Sequence, residues 1–97
     1  MKTFSLSNKA KADLQHIAFF TEKNWGKEQR NLYIRQLDEA FHFLAETPLS
    51  GKTCDYIAPG YRKFPQGSHI IFYKAGIDTT IYIVRILHKQ MDVELHF

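Results

Sequence analysis

The spacing of apolar residues changes twice along this chain. From Thr3 to Leu6 polar and apolar residues alternate, with Phe4 and Leu6 on one side, as in a short strand. Past Ser7 the period lengthens. Ala10, Leu14, Ile17 and Ala18 recur at three and four residues, the stripe of an amphipathic helix. Ser7 offers a side-chain oxygen to the first free N–H groups of that helix. Asp13 stands toward its start and Lys23 toward its end, as the helix dipole favours. Gly26 can take the left-handed conformation that ends it. Over residues 28–46 the pattern returns at Leu32, Tyr33, Leu37, Ala40, Phe41 and Leu44, with Arg30, Arg35, Asp38 and Glu39 largely off that face. So short a break between two helices makes an αα-hairpin. Pro48 and Gly51 stop the second helix.

The second half carries strand signals. Tyr61-Arg62-Lys63-Phe64, followed by Pro65, Gln66 and Gly67, suits an edge strand that ends in a turn. Residues 69–74 are β-branched and aromatic, and Ala75-Gly76 supply a turn. Residues 79–87 are apolar on both faces, as a central strand would be. Short turns join these runs into an antiparallel meander. The tail, residues 88–97, carries Met91, Val93, Leu95 and Phe97 at a spacing of two, which fits helix and extended chain alike. The expected class is α+β in two layers: an N-terminal strand, a helix hairpin, then a three-strand meander against which the hairpin packs.

At 97 residues the chain makes one domain, 1–97. Its 44% hydrophobic and 24% charged content excludes a disordered or collagen-like chain. No run approaches the ~20 apolar residues of a membrane span, and Met1 to Leu6 has no signal-peptide character. The single cysteine, Cys54, excludes a disulfide framework, so the expected compartment is the cytoplasm. The net charge of +3 permits an anionic partner without requiring one.

Candidate chemistry is sparse. Cys54 lies in a loop with no nucleophile motif around it. His88 and His96 lack further metal partners, and no cofactor motif is present. His16 and His42 fall on the helices. Between Lys52 and Lys74 stand four basic residues, Lys52, Arg62, Lys63 and Lys74, against Asp55, with Tyr61, Phe64 and Tyr73 interleaved. Such a face could hold nucleic acid by phosphate contact and stacking. The plainer account is that edge-strand lysines block aggregation. Trp25, at the hairpin tip, reads either as a clamp between the helices or as an exposed anchor for a partner.

An ordered series of short motifs resembles the ParE toxins of the ParE/RelE superfamily. It begins with Leu6-Ser7-x-x-Ala10-x-x-Asp13-Leu14-x-x-Ile17, then Trp25-Gly26-x-x-Gln29 with Tyr33 and Leu37. It continues through Leu44-Ala45-x-x-Pro48-x-x-Gly51, Gly60-Tyr61-Arg62 and His69-x-Ile71-Phe72-Tyr73. It closes on Arg85-Ile86-Leu87-His88-x-x-Met91-Asp92. The resemblance implies a RelE/ParE-like fold and a toxin of a type II toxin–antitoxin pair. Such a toxin poisons DNA gyrase without chemistry of its own and is neutralised by a ParD-like antitoxin. It touches DNA only through gyrase or the antitoxin complex. The gyrase-contact candidates it suggests are Trp25, Arg85, His88, Met91 and Asp92. Those for the antitoxin are Arg62, Phe64, Leu32 and Phe41, in the hairpin grooves and along the exposed sheet edge.

RelE-like relatives with this fold cut messenger RNA on the ribosome, and that is the competing expectation. The reaction needs a base, a phosphate clamp and an acid. Glu46, Arg62 and His88 are the residues available for those roles. The basic cluster is thin for such a transition state, and Phe97 stands last where many such nucleases carry a tyrosine.

Overall fold

The structure, a computed structural model, describes residues 2–97. In chain order it forms β1 (Phe4–Leu6), α1 (Asn8–Trp25), α2 (Lys27–Glu46), β2 (Lys52–Thr53), β3 (Arg62–Gln66), β4 (His69–Ala75) and β5 (Ile81–His88), with 3-10 turns at Pro48–Ser50 and Val93–His96. The expected meander and the helix hairpin are both present. Two features were not legible in the spacing. β1 joins the sheet parallel to β5, and β2 adds two residues to the far edge, giving the order β1-β5-β4-β3-β2.

Local signals set the hairpin. The Ser7 hydroxyl accepts the Ala10 amide at 2.9 Å and donates to the Val84 carbonyl at 2.6 Å, capping α1 while pinning it to β5. Gly26, at φ 92°, ends α1 and starts α2 in a conformation that L side chains rarely adopt. The hairpin buries Ala10, Ile17, Leu37, Phe41 and Leu44 against Ile71, Tyr73, Ile81, Ile83 and Ile86. Each large side chain in that set contributes roughly 1.5–3 kcal/mol by leaving water. Phe41 is therefore core, at 2% exposure, and is removed from the antitoxin-facing candidates. Its period matches the buried stripe, whereas Leu32 sits at 41% exposure on the outer side of α2.

The sheet has a second, smaller core on the face away from the helices. Cys54, Phe72 and Leu87 are buried there, with Ile57, Tyr61, Ile70 and Val93 packed around them. Phe97 meets Phe72 and Tyr61 edge-on, at centroid distances of 5.1 and 5.9 Å. A bulge in β5 divides the side chains between the two cores. Phe72 pairs with Arg85 and Tyr73 with Ile83, so Val84 has no partner on β4. The extra residue switches the alternation: Ile81 and Ile83 face the hairpin, and past the bulge Ile86 does so while Leu87 turns outward.

β1 is three residues long and pairs with β5 only as far as Ile83. Beyond that point the β5 edge is closed by side chains. Asp13 reaches over from α1 and accepts the Ile86 amide at 2.9 Å. The same carboxylate takes Arg85 in a fork, from Nε and Nη2, both at 2.9 Å. Arg85 Nη1 donates to the His96 carbonyl at 2.8 Å. Asp13 is thus the β5-edge ligand, lying well inside α1 rather than serving the dipole of its first turn.

Both side chains of this pair are only 14% exposed. Removing one leaves the other charge partly buried and the Ile86 amide without its acceptor. Asp13→Ala is expected to lower stability by about 2–4 kcal/mol in urea unfolding. Arg85→Ala placed on top should cost much less than it does alone, and simple additivity would show the two to be uncoupled.

Candidate functional site

A groove of about 900 Å³ opens between the hairpin tip and the ends of β4 and β5. From α1, Ile17, Thr21 and Trp25 stand one turn apart along one wall, with His16 and Phe20 beside them. From α2, Gln29 and Tyr33 form the facing row. Ser68 and His69, at the β3–β4 turn, with His88 and Met91, close the far end. None of these lining residues is a lysine, arginine or carboxylate.

The polar groups in the groove are organised around Tyr33. Its hydroxyl lies 2.6 Å from His69 Nδ1 and 3.0 Å from the Gln66 carbonyl, and it accepts the Ser68 amide at 3.2 Å. Gly67, at φ 59°, makes room for the ring, since a Cβ there would strike Tyr33. His69 and His88 are cross-strand partners in the ladder. Their rings meet edge to face, with centroids 5.3 Å apart. Burial foremost, with a push from neighbouring His88 and against the pull of Asp13, lowers the His69 imidazole from its ordinary 6.5 to about 4. His69 is therefore a neutral imidazole at physiological pH, fixed by a phenol on one nitrogen.

Three of the five gyrase-contact candidates line this groove: Trp25, His88 and Met91. Trp25 is 73% exposed, so it does not clamp the helices together. An ion pair between Glu22 and Arg30 does that instead. Arg85 and Asp92 lie elsewhere. Arg85 is engaged by Asp13, which holds its guanidinium above its ordinary value, and Asp92 caps the last 3-10 turn through the Glu94 amide at 3.0 Å. Among the antitoxin candidates, Leu32 is exposed and Phe64 half-buried against Phe43, at 5.7 Å between ring centroids. Arg62 donates to the Gly51 carbonyl at 2.8 Å. Phe43, 46% exposed and on the same helix face as Leu32, was missed from the sequence because its neighbour Phe41 fits the buried period.

The trio considered for RNA cleavage does not converge. Arg62 pairs with Tyr73 and His88 with His69, so about 13 Å of β4 lies between them. Glu46 ends α2, exposed and 3.9 Å from Lys2. Cys54 is fully buried, and burial pushes its thiol up, away from the reactive thiolate. Among the described residues, no group of three or more His, Cys, Asp and Glu is arranged to hold a metal ion.

The family model of the ParE toxin of type II toxin–antitoxin systems, parDE, matches residues 4–93. This chain belongs to the ParE toxin family. It is 43% identical to Toxin ParE1 of Mycobacterium tuberculosis over 91 residues, 94% of this chain and 93% of that one. It is 38% identical to Toxin ParE1 of Caulobacter vibrioides over 96 residues, 99% of this chain and 98% of the relative. In fold it resembles a chain of the chromosomal ParDE TA system from P. aeruginosa, with a TM-score of 0.74 and 21% identity over 91% of this chain and 96% of that one. As a ParE-family toxin the chain is one half of a toxin–antitoxin system. No helix among its described residues is long and apolar enough to cross a membrane.

The depressed His69 value fixes the sign of a pH effect in this ParE-family chain. Between pH 6.5 and about 4 the unfolded chain binds the His69 proton more readily than the folded one. The stability that His69 contributes is complete above pH 6.5 and is lost as the pH falls to about 4. An NMR titration should find the His69 ring still neutral at pH 5, and urea midpoints should drop across that window. A His69 ring that titrates at its ordinary value would show that the groove does not desolvate it.

Proposed function

We propose that this chain is a DNA gyrase poison. It grips gyrase through the groove framed by Trp25, His88 and Met91, holds the cleaved DNA complex and blocks replication, and a ParD-like antitoxin neutralises it. It acts as a single domain in the cytoplasm and performs no chemistry of its own. The observation that carries this reading is the character of the groove in a ParE-family chain. It is wide, aromatic and free of lysine, arginine and carboxylate side chains, with Trp25 and Met91 standing out of the surface at 73% and 45% exposure. A tryptophan beside a flexible thioether is the chemistry of a protein-binding hot spot. A phosphodiester-cleaving site needs cations at the phosphate, and this groove offers no lysine or arginine.

The antitoxin has a separate surface. Leu32 and Phe43 are exposed on one side of α2, about 16 Å apart with Gln36 and Glu39 between them, and Phe64 packs against Phe43. An amphipathic segment laid along α2 would cover both apolar side chains and meet the polar ones between them.

A supercoiling assay tests the reading. The intact chain should abolish supercoiling and accumulate cleaved DNA, and Trp25→Ala with Met91→Ala should weaken that by at least about tenfold, the loss of one hot spot. Both side chains are exposed, so circular dichroism should show the fold unchanged. Undiminished gyrase activity at excess of the intact chain would overturn the proposal. Deleting residues 88–97 is not an equivalent test. It strips Val93 and Phe97 from the outer core and takes away the His96 carbonyl that Arg85 holds.

A further inference from the structure

Away from the groove, the outer face of the sheet carries a second chemistry that gyrase binding does not use. Lys52 and Lys63 are paired across β2 and β3, and Lys63 is paired in turn with Phe72 of the outer core. All three side chains therefore leave the sheet on the face away from the helices. Lys74, two residues along β4 from Phe72, is paired with Tyr82 on the same face. Aromatic rings are interleaved with these cations. Lys63 Nζ lies 5.7 Å from the Tyr56 ring, and Lys74 Nζ lies 5.7 Å from Tyr61 and 5.9 Å from Tyr82.

From Lys52 to Lys74 the one acidic residue is Asp55, and its carboxylate accepts the Gly60 amide at 3.0 Å. Arg85, also beside the outer core, is paired with Asp13. Asp92 and Glu94 flank Val93 at the tail end of that core, and among the described residues none of the three lysines forms an ion pair. Lys52 and Lys63 stand about 5 Å apart across the ladder, and Lys74 lies about 7 Å further along the sheet. Tyr56 is 71% exposed at the border, and its hydroxyl accepts Lys63 Nζ at 3.3 Å.

We propose that this face binds single-stranded DNA, with Lys52, Lys63 and Lys74 on successive phosphates and Tyr56 and Tyr82 as stacking platforms. Lysines that only blocked edge pairing would belong on an edge strand. Lys63 is flanked on both sides, by Lys52 and Phe72, and three tyrosines accompany the row. Ammonium groups beside aromatic rings are what a sequence-tolerant single-strand site requires. Nothing in that arrangement needs a ribose hydroxyl. The contact is direct, whereas the family resemblance led us to expect DNA to be met only through gyrase or an antitoxin. It also lies across the sheet from the groove, so its measurement does not depend on the gyrase result.

Fluorescence anisotropy with labelled oligo-dT tests it. The intact chain should bind in low salt, and the plot of log affinity against log salt should have a slope of about −2, three phosphates at roughly 0.7 each. Lys63→Glu with Lys74→Glu should lower affinity at least about tenfold, and Tyr56→Ala about fivefold. Lys9→Glu with Lys11→Glu, the same charge change on exposed positions of α1, should leave affinity within about twofold, since a distant surface charge is screened. Absence of binding at low salt would overturn the proposal. So would an equal loss in the α1 variant, or clearly tighter binding of oligo-rU than of oligo-dT. Circular dichroism of each variant distinguishes lost contact from lost fold.

Discussion

The Asp13–Arg85 pair at the edge of β5 is the constraint on which the architecture turns. A three-residue β1 leaves the second half of β5 without a neighbour, and bare strand edges are both unsatisfied and prone to mispairing. The chain closes the gap with side chains from the helix that follows. Ser7 holds the Val84 carbonyl, and Asp13 holds the Ile86 amide and the Arg85 guanidinium. Because the first turn of α1 and its sixth residue both bind β5, the direction of α1 over the sheet is settled at two points. With α1 fixed and Gly26 setting the turn, the hairpin tip can only come down beside the ends of β4 and β5. That is where the groove opens.

Arg85 carries the constraint around to the other side of the sheet. The β5 bulge places it opposite Phe72, beside the outer core, while its guanidinium reaches the helix layer and the His96 carbonyl together. One side chain thereby ties α1, β5 and the tail. An arginine is suited to this because its planar fork satisfies a carboxylate with two donors and keeps a third for the carbonyl. A lysine would hold the charge but not the geometry. The motif that resembles the ParE toxins includes Arg85, and the structure gives that residue a framework role first.

What could be read from the sequence was whatever depends on near neighbours. The Ser7 cap, the hairpin, the Gly26 break and the meander all follow from spacing within a few residues, whereas Trp25, His88 and Met91 were gyrase-contact candidates only through the family resemblance. What could not be read depends on register. Asp13 and Arg85 are 72 positions apart, and nothing local distinguishes Asp13 from a carboxylate that serves the dipole. The bulge is invisible in a run that is apolar on both faces, and β2 is too short to show a period. His69 stood in the motif series without a role of its own, because its meaning lies in its cross-strand partner, His88, and in Tyr33 from the hairpin. Phe41 and Phe43 lie on the same stretch of helix, and only packing shows which of them the core takes.

The sheet separates two surfaces of opposite character, and the reason is compositional as much as architectural. Its helix-side flank ends in a groove of aromatic and imidazole rings and a thioether. Its outer side carries the lysines, because the outer core is too small to cover every strand. Cys54, Phe72 and Leu87 fill its centre under the loop before β3 and the tail. Lys63, Lys74 and Tyr82 stay half-buried beyond that cover, and Tyr56 is exposed. A ParE-family chain of this size cannot cover both faces of a five-stranded sheet with one helix hairpin. The uncovered part must be polar to stay soluble. Evenly mixed charges would meet that requirement, and the chain has acids enough to mix, with ten against thirteen bases. Solubility therefore accounts for polar residues on that face but not for a row of one sign set among tyrosines.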